Sequence, residues 1–301
     1  EKMSPIKVLF AVDFKAGSEH AAAEILDLAR ARPIDLTLIH VYNQKLFEER
    51  DMLYAKAALK YDEVVSKIKV ELEEKLGSWG EKNFGKYPHK LKIEFGIPAQ
   101  VFEKQTPAYD ALVIGANRHG LWDHLFLNSV AESVLGRSFI PTLVFRKKFA
   151  GWTEATVLVD MGENVDEVVK KAVGFAQDMN IKKLNFMSFY PMPIEVAAYG
   201  YGMNSILPEQ EVQELLKALE SGLVNIIEKY KTEHFEFSVK VGKIPASSAA
   251  SEISNKMHEH EEPIIVGRRR RSGVSEFLLG SVTQSLLRTC SSDLIILPIE
   301  D

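Results

Sequence analysis

The chain is short of three things, and each shortage closes off a class of function. It has one cysteine, Cys290, in 301 residues. No disulfide framework can be built from it, and a reducing compartment is expected. There is no basic excess either: 37 Lys and Arg stand against 42 Asp and Glu, for a formal net charge of -5. A general nucleic-acid binder would carry a basic footprint, so no nucleic-acid partner is expected. Long apolar runs are missing as well. Residues 8–12 are apolar but are followed at once by Asp13, too short a stretch for a secretory core. Nothing approaches the roughly 20 apolar residues of a membrane span. A cytoplasmic protein without a membrane partner is expected.

Several chemistry-bearing motifs are absent too. No Gly-x-x-x-x-Gly-Lys-Ser/Thr loop is present, which excludes a P-loop nucleotidase. The Gly-x-Gly-x-x-Gly fingerprint of dinucleotide binders does not follow the first apolar strand. A Ser-Gly-Gly-x-Asp-Ser phosphate loop is lacking, as is a Ser-His-Asp or Cys-His set at strand ends. No general base is placed for turnover, which favours binding over catalysis. His119 and His124 share a loop without a zinc-ligand pattern, and His258-Glu259-His260 reads as a surface loop rather than a metal site. No metal is expected.

What the chain does have is a repeat, and an overlooked repeat would misassign the whole fold. The run Val8-Leu9-Phe10-Ala11-Val12-Asp13 returns as Val157-Leu158-Val159-Asp160, with the aspartates 147 positions apart (13 to 160). Gly96-Ile97-Pro98-Ala99 is echoed by Gly242-Lys243-Ile244-Pro245-Ala246. Val113-Ile114-Gly115 is echoed by Ile265-Val266-Gly267, and Asn128-Ser129-Val130 by Gly280-Ser281-Val282, both 152 positions on (115 to 267, 129 to 281). Landmarks in the same order divide the chain into copies at 1–149 and 150–301, joined near residues 147–152.

Each copy alternates apolar strands with helical periods. The first offers strands at 7–12, 36–41, 91–95, 111–114 and 142–145; the second at 156–159, 184–189, 236–241, 264–266 and 294–297. Continuous apolar runs suit parallel strands covered on both faces. Between them, Val64, Val65, Ile68, Leu72 and Leu76 share one helical face, as do Val212, Leu216, Leu219, Leu223 and Ile227. Asn164 and Glu167 have capping-box spacing for a helix at 165–179. The expected fold is α/β: two tandem copies of a five-stranded parallel sheet flanked by helices. The fifth strand of each copy is expected at a sheet edge, which proteins cover or pair.

Ligands of open α/β sheets bind beyond the carboxyl ends of the strands, where the winding reverses. Asp13 and Asp160 follow the first strands, and Gly115 and Gly267 the fourth. Beyond each glycine lies a polar loop, then Ser129 or Ser281 with capping-box spacing to Glu132 or Gln284. A helix start behind a glycine loop is an anion site. Gly280 allows close approach, and the hydroxyls of Ser281 and Thr283 add donors. The plain readings stand beside these: serines as N-caps, aspartates as turn residues, Arg268-Arg269-Arg270-Arg271 as a solvated loop, and Cys290 as a small buried side chain.

The segment from Val266 to Thr283, with Gly267, Gly280 and Ser281 in place, resembles the signature of universal stress proteins. ATP-binding members of that family carry Gly-x-x-Gly, nine residues, then Gly-Ser/Thr. Here Arg270 replaces the second glycine; in the first copy Gly115 and Ser129 match while Arg118 and Asn128 take glycine positions. The resemblance covers essentially the whole chain and implies an adenine nucleotide alpha hydrolase-like fold. It implies that Asp160 or Asp13 holds the ribose and adenine, and that backbone near Ser188 or Val41 meets the base. The phosphates of ATP, ADP or AMP, with or without magnesium, would then lie against Gly267, Arg268, Arg270, Gly280, Ser281, Val282 and Thr283. The first copy's loop is degenerate. An arginine there could fill the phosphate space or pair with phosphate oxygens. The function implied is a stress-response regulator; the alternatives are a scaffold that binds no nucleotide and a slow ATPase. Single-domain members dimerise through the fifth strand, so the two copies are expected to form an internal pseudo-dimer, with a further homodimer or protein partner left open.

Overall fold

A computed structural model describes residues 4–43, 61–116, 132–146, 151–162, 164–192, 208–232, 235–258, 260–270 and 277–299. The first copy contains β1 (Ile6–Ala11), α1 (Ala16–Ala31), β2 (Ile34–Tyr42), α2 (Tyr61–Phe84), β3 (His89–Phe95), α3 (Pro98–Gln105), β4 (Ala111–Gly115), α4 (Glu132–Arg137) and β5 (Thr142–Phe145). In the second copy follow β6 (Glu154–Leu158), α5 (Val165–Asp178), β7 (Lys183–Met192), α6 (Glu209–Glu228), β8 (Glu236–Pro245), α7 (Ala249–His258), β9 (Ile264–Arg270), β10 (Phe277–Leu278), α8 (Ser281–Thr289) and β11 (Leu294–Ile299).

The inner apolar runs become strands buried on both faces, with every residue of β11 buried, whereas β3 and β8 keep exposed positions, Leu91 among them. Helices bury the stripe their spacing set out. In α6 these are Val212, Leu216, Leu223 and Ile227; in α5, Val168, Val169, Ala172, Val173, Phe175 and Ala176. Helix α5 starts from Asn164 at its N-cap, as the spacing required.

Strands order as β3-β2-β1-β4-β5 in the first copy and β8-β7-β6-β9-β11 in the second. The winding therefore reverses between β1 and β4, and again between β6 and β9. The fifth strands are not edges. β5 and β11 pair antiparallel, with Leu294 opposite Val144, Ile295 opposite Leu143 and Ile296 opposite Thr142. The two five-stranded sheets thus join through their fifth strands, the pairing that the family resemblance implies, into a single 11-stranded sheet in which the short β10 hangs antiparallel off β9. Joining the two edges satisfies backbone groups that would otherwise template aggregation. The true edges are β3 and β8.

Two buried arginines and a tryptophan lock this seam. Arg146, just past β5, reaches the end of α8 and donates to the carbonyls of Leu286 (3.3 Å), Leu287 and Cys290. Its own N–H donates to Asp293 Oδ1 at 2.7 Å. Arg268 in β9, wholly buried, donates to the carbonyl of Ser138 at the end of α4. Trp152 stacks on Phe145 at 5.7 Å and donates from Nε1 to Asp293 at 3.4 Å.

The two Pro-Ala segments diverge. Gly96 takes a φ of 143°, and Pro98 opens α3, the positive φ that glycine tolerates. Its counterpart does not turn: β8 continues through Gly242 to Pro245.

Candidate nucleotide cleft

The crevice of the second copy lies where β6 and β9 part. Asp160 follows β6, its side chain 78% exposed, and its Oδ2 accepts a hydrogen bond from Arg269 at 3.1 Å. This ion pair crosses the reversal point from strand to strand. Alternation along β9 sends neighbouring arginines to opposite faces. Arg269 reaches Asp160, while Arg268 turns inward to the seam and Ser138. Desolvation pulls the Arg268 pKa down to about 9, and the group remains protonated at neutral pH. Arg268 is therefore not beside the crevice where its place in the sequence put it.

Strand β9 does not stop at Gly267. It runs to Arg270, which pairs with Phe277 of β10, while Arg269 pairs with Leu278. The chain is thus extended at Arg268, Arg269 and Arg270, where the family's signature has its first glycine loop. Gly267 is required for packing: a Cβ there would stand 2.9 Å from Ile299 Cγ1 and 3.3 Å from Val168 Cγ2. Gly280 is the reverse case, with no atom within 4 Å of where a Cβ would stand.

Helix α8 starts one residue earlier than its capping-box spacing suggested. Gly280 is the N-cap and Ser281 the first helical residue. The N–H of Gln284 bonds Gly280 O at 3.0 Å. The amides of Ser281, Val282 and Thr283 thus precede the first helical bond and point out of the helix start. Gly280 and Ser281 are exposed, Val282 is half-buried, and Thr283 is buried.

At the carboxyl ends of β2 and β7 the two copies are out of step by one residue. Val12 N–H bonds Ile39 O at 2.9 Å, and Val159 N–H bonds Met187 O at 2.9 Å. Ser188 therefore matches His40 rather than Val41. Ser188 is buried within β7; Val41 is half-buried opposite Glu94.

The first copy's crevice is built differently. Asp13 Oδ1 accepts from the Ser18 hydroxyl at 2.6 Å and the Lys15 N–H at 3.0 Å, while Asp13 N–H donates to Ser18 Oγ at 3.1 Å. Its carboxylate is thus engaged in the turn that leads into α1. Phe14, in the left-handed region at a φ of 61°, packs on His40 at 4.6 Å beneath Lys75 Nζ, 4.3 Å above its ring. His40 Nδ1 donates to Val12 O at 2.7 Å. Desolvation lowers the His40 pKa, a little offset by that carbonyl. Sequence reasoning missed His40, Phe14 and Lys75; the one signal was an aromatic directly after the Val-Asp pair. Gly115 meets α1 backbone to backbone, since a Cβ on it would lie 2.4 Å from Gly17 C and O. Arg118, Asn128 and Ser129 lie outside the described residues, as do His119 and His124.

Among the described residues no group of three or more His, Cys, Asp or Glu is arranged to hold a metal ion, and no helix is long and apolar enough to cross a membrane.

A duplicated, doubly wound parallel sheet with a crevice at each reversal defines the class. The chain belongs to the universal stress protein family, whose sequence model matches residues 6–146 and 154–298. The two matches and the β5–β11 seam make the copies an internal pseudo-dimer. Among solved structures, the chain is similar to a universal stress protein from Archaeoglobus fulgidus DSM 4304, at 16% identity over 97% of this chain and 98% of that one, with a TM-score of 0.58. It is also similar to a functionally unknown protein from Pseudomonas aeruginosa PAO1, at 14% identity over 98% of this chain and 93% of that one, with a TM-score of 0.51. A universal stress protein in complex with cAMP matches over 50% of this chain and 99% of its own, at 16% identity and a TM-score of 0.32. No curated protein matches the chain.

Proposed function

We propose that the protein is a stress-response regulator that binds an adenine nucleotide, ATP, ADP or AMP, in its second copy. The observation that carries the reading is the start of α8. Three outward amides stand behind an exposed Gly280 with open space around it. Such a helix start favours phosphate through its amides and dipole.

Asp160 and Arg269 supply the second half of the argument. An exposed ion pair is worth about 0–1 kcal/mol, so a ligand separates it at small cost. Arg269 then pairs with a phosphate oxygen and Asp160 turns to the ribose hydroxyls. Arg270 ends β9 one residue beyond Arg269, and backbone near Ser188 faces the base. Magnesium, where present, neutralises the phosphates. The first copy is the weaker site because the Asp13 carboxylate is already engaged with Ser18 and Lys15.

Calorimetric titration of the full chain with ATP, ADP and AMP, with and without magnesium, tests this. One site is expected, lost in Gly280→Trp and weakened in Asp160→Ala. No heat up to millimolar nucleotide overturns the reading and leaves the scaffold. Phosphate release above the Gly280→Trp background marks a slow ATPase instead.

A further inference from the structure

A cavity of about 520 Å³ lies at the seam, away from both crevices. Its floor is apolar and comes from both copies: Val8, Leu28 and Leu143 from the first, Phe175 and Leu297 from the second. The volume falls within the roughly 300–1,000 Å³ of small-molecule sites.

The repeat shows why the hollow is there. Trp152, at the matching place in the second copy, is buried and stacked on Phe145 at 5.7 Å. Its counterpart 147 positions earlier is Pro5, and the counterpart of Phe145, 152 positions later, is Leu297. Both line the cavity. An aromatic pair fills one side of the pseudo-twofold; smaller residues leave the other side open.

Cations and carboxylates both line it, and one buried donor is unpartnered. Arg32 and Lys171 line the cavity. Arg32 Nε is buried with no hydrogen-bond partner, an arrangement costing about 1–3 kcal/mol unless an acceptor arrives. Lys171 donates to Pro298 O at 2.7 Å and lies 3.8 Å from Glu167 Oε1, contacts that hold its ammonium at the wall. Asp110 and Asp178 also line the cavity but are exposed at its rim, and Asp110 Oδ2 already accepts the Lys7 N–H at 2.8 Å.

We propose that this seam cavity binds a small apolar carboxylate, with its hydrocarbon body on the Val8–Leu143–Phe175–Leu297 floor and its carboxylate accepting from Arg32 Nε beside Lys171. The site is independent of the nucleotide reading. Because both copies line it, occupancy stiffens the seam.

Naphthaleneacetate and its neutral counterpart naphthaleneethanol are the probes, measured on the full chain by ligand-observed NMR and calorimetry. The acid is expected to bind at least about tenfold tighter than the alcohol, since a charge-assisted hydrogen bond contributes about 1.5–3 kcal/mol. Arg32→Gln should bring the acid down to the alcohol's affinity. Gly174 lines the cavity, and a Cβ there meets no atom within 4 Å. Gly174→Phe should therefore fill the space and abolish binding of both probes, with the melting curve reporting that the variant is folded. Equal binding of acid and alcohol, unchanged binding in Arg32→Gln, or no binding of the acid to the wild-type protein at millimolar concentration overturns the proposal. A folded Gly174→Phe that still binds the acid does so too.

Discussion

The guanidinium of Arg146 sits on the carbonyl oxygen of Cys290, 144 residues away at the last turn of α8. The exchange is mutual. Arg268 of the second copy sits on Ser138 O at the end of α4 in the first, and Ser138 is the counterpart of Cys290, 152 positions earlier. The two arginines are not themselves counterparts, since one follows a fifth strand and the other lies within a fourth. Two solutions converge on one need: the orphan carbonyls of a helix end buried at the seam require donors.

Arg146→Met is expected to destabilise the chain by about 3–5 kcal/mol, the cost of breaking a buried charged network by removing one partner. Burial already lowers its pKa to about 10, so the cation remains through the neutral range. Urea denaturation of the variant checks the figure. A loss below about 1 kcal/mol would mean that water replaces the guanidinium.

The glycines divide by what surrounds them. Gly115→Ala forces a methyl into Gly17 backbone 2.4 Å away and should cost at least the roughly 1–3 kcal/mol of overpacking. Gly280→Ser meets open space and puts a good N-cap ahead of α8, so stability should hold or rise slightly. Thermal melts of the two variants compare them directly.

Acid should weaken the fold in two windows. Glu262 is pushed up by burial, but hydrogen bonds from Thr156 and His260, both at 2.6 Å, hold it at about 2 against an ordinary 4.5. A depressed carboxyl stabilises above its unfolded pKa, and that contribution is lost as pH falls from about 4.5 towards 2. Burial likewise lowers His40 below 6.5. The unfolded chain takes up that proton first, so stability present above pH 6.5 declines as pH falls below it. His40→Gln should flatten this upper window and leave the lower one intact in denaturation curves taken across pH.

Cys290 Sγ accepts the Ser292 N–H at 3.4 Å, and in the first copy Ser138 Oγ accepts the Ile140 N–H at 3.4 Å. One turn is thus closed by sulfur in one copy and by oxygen in the other. Cys290→Ser is expected to cost less than about 1 kcal/mol, since the serine inherits that N–H partner. The native thiol, 2% exposed, should react with a disulfide reagent only as fast as the chain unfolds.

Much of this was legible in the residues. Runs such as Leu294-Ile295-Ile296-Leu297, short and rich in β-branched residues, read as buried strands, and the returning Val-Asp and Pro-Ala landmarks carry the duplication. Strand and helix order follow from local periodicity, which is a property of neighbouring residues. The aspartates at the strand ends and the glycine before α8 were visible for the same reason. Three other features depend on residues more than a hundred positions apart. The joining of β5 to β11 was expected from the family resemblance alone, since no local pattern says which edge strand meets which. The split of Arg268 into the seam and Arg269 across the crevice follows from strand alternation only once β9 is known to run past Gly267. The hollow beside Pro5 exists because Trp152 fills its mirror image. Residue types alone determine which positions prefer burial and which backbone shapes they tolerate. Where two copies of the same pattern meet, packing and the satisfaction of buried polar groups decide, and those are settled in space.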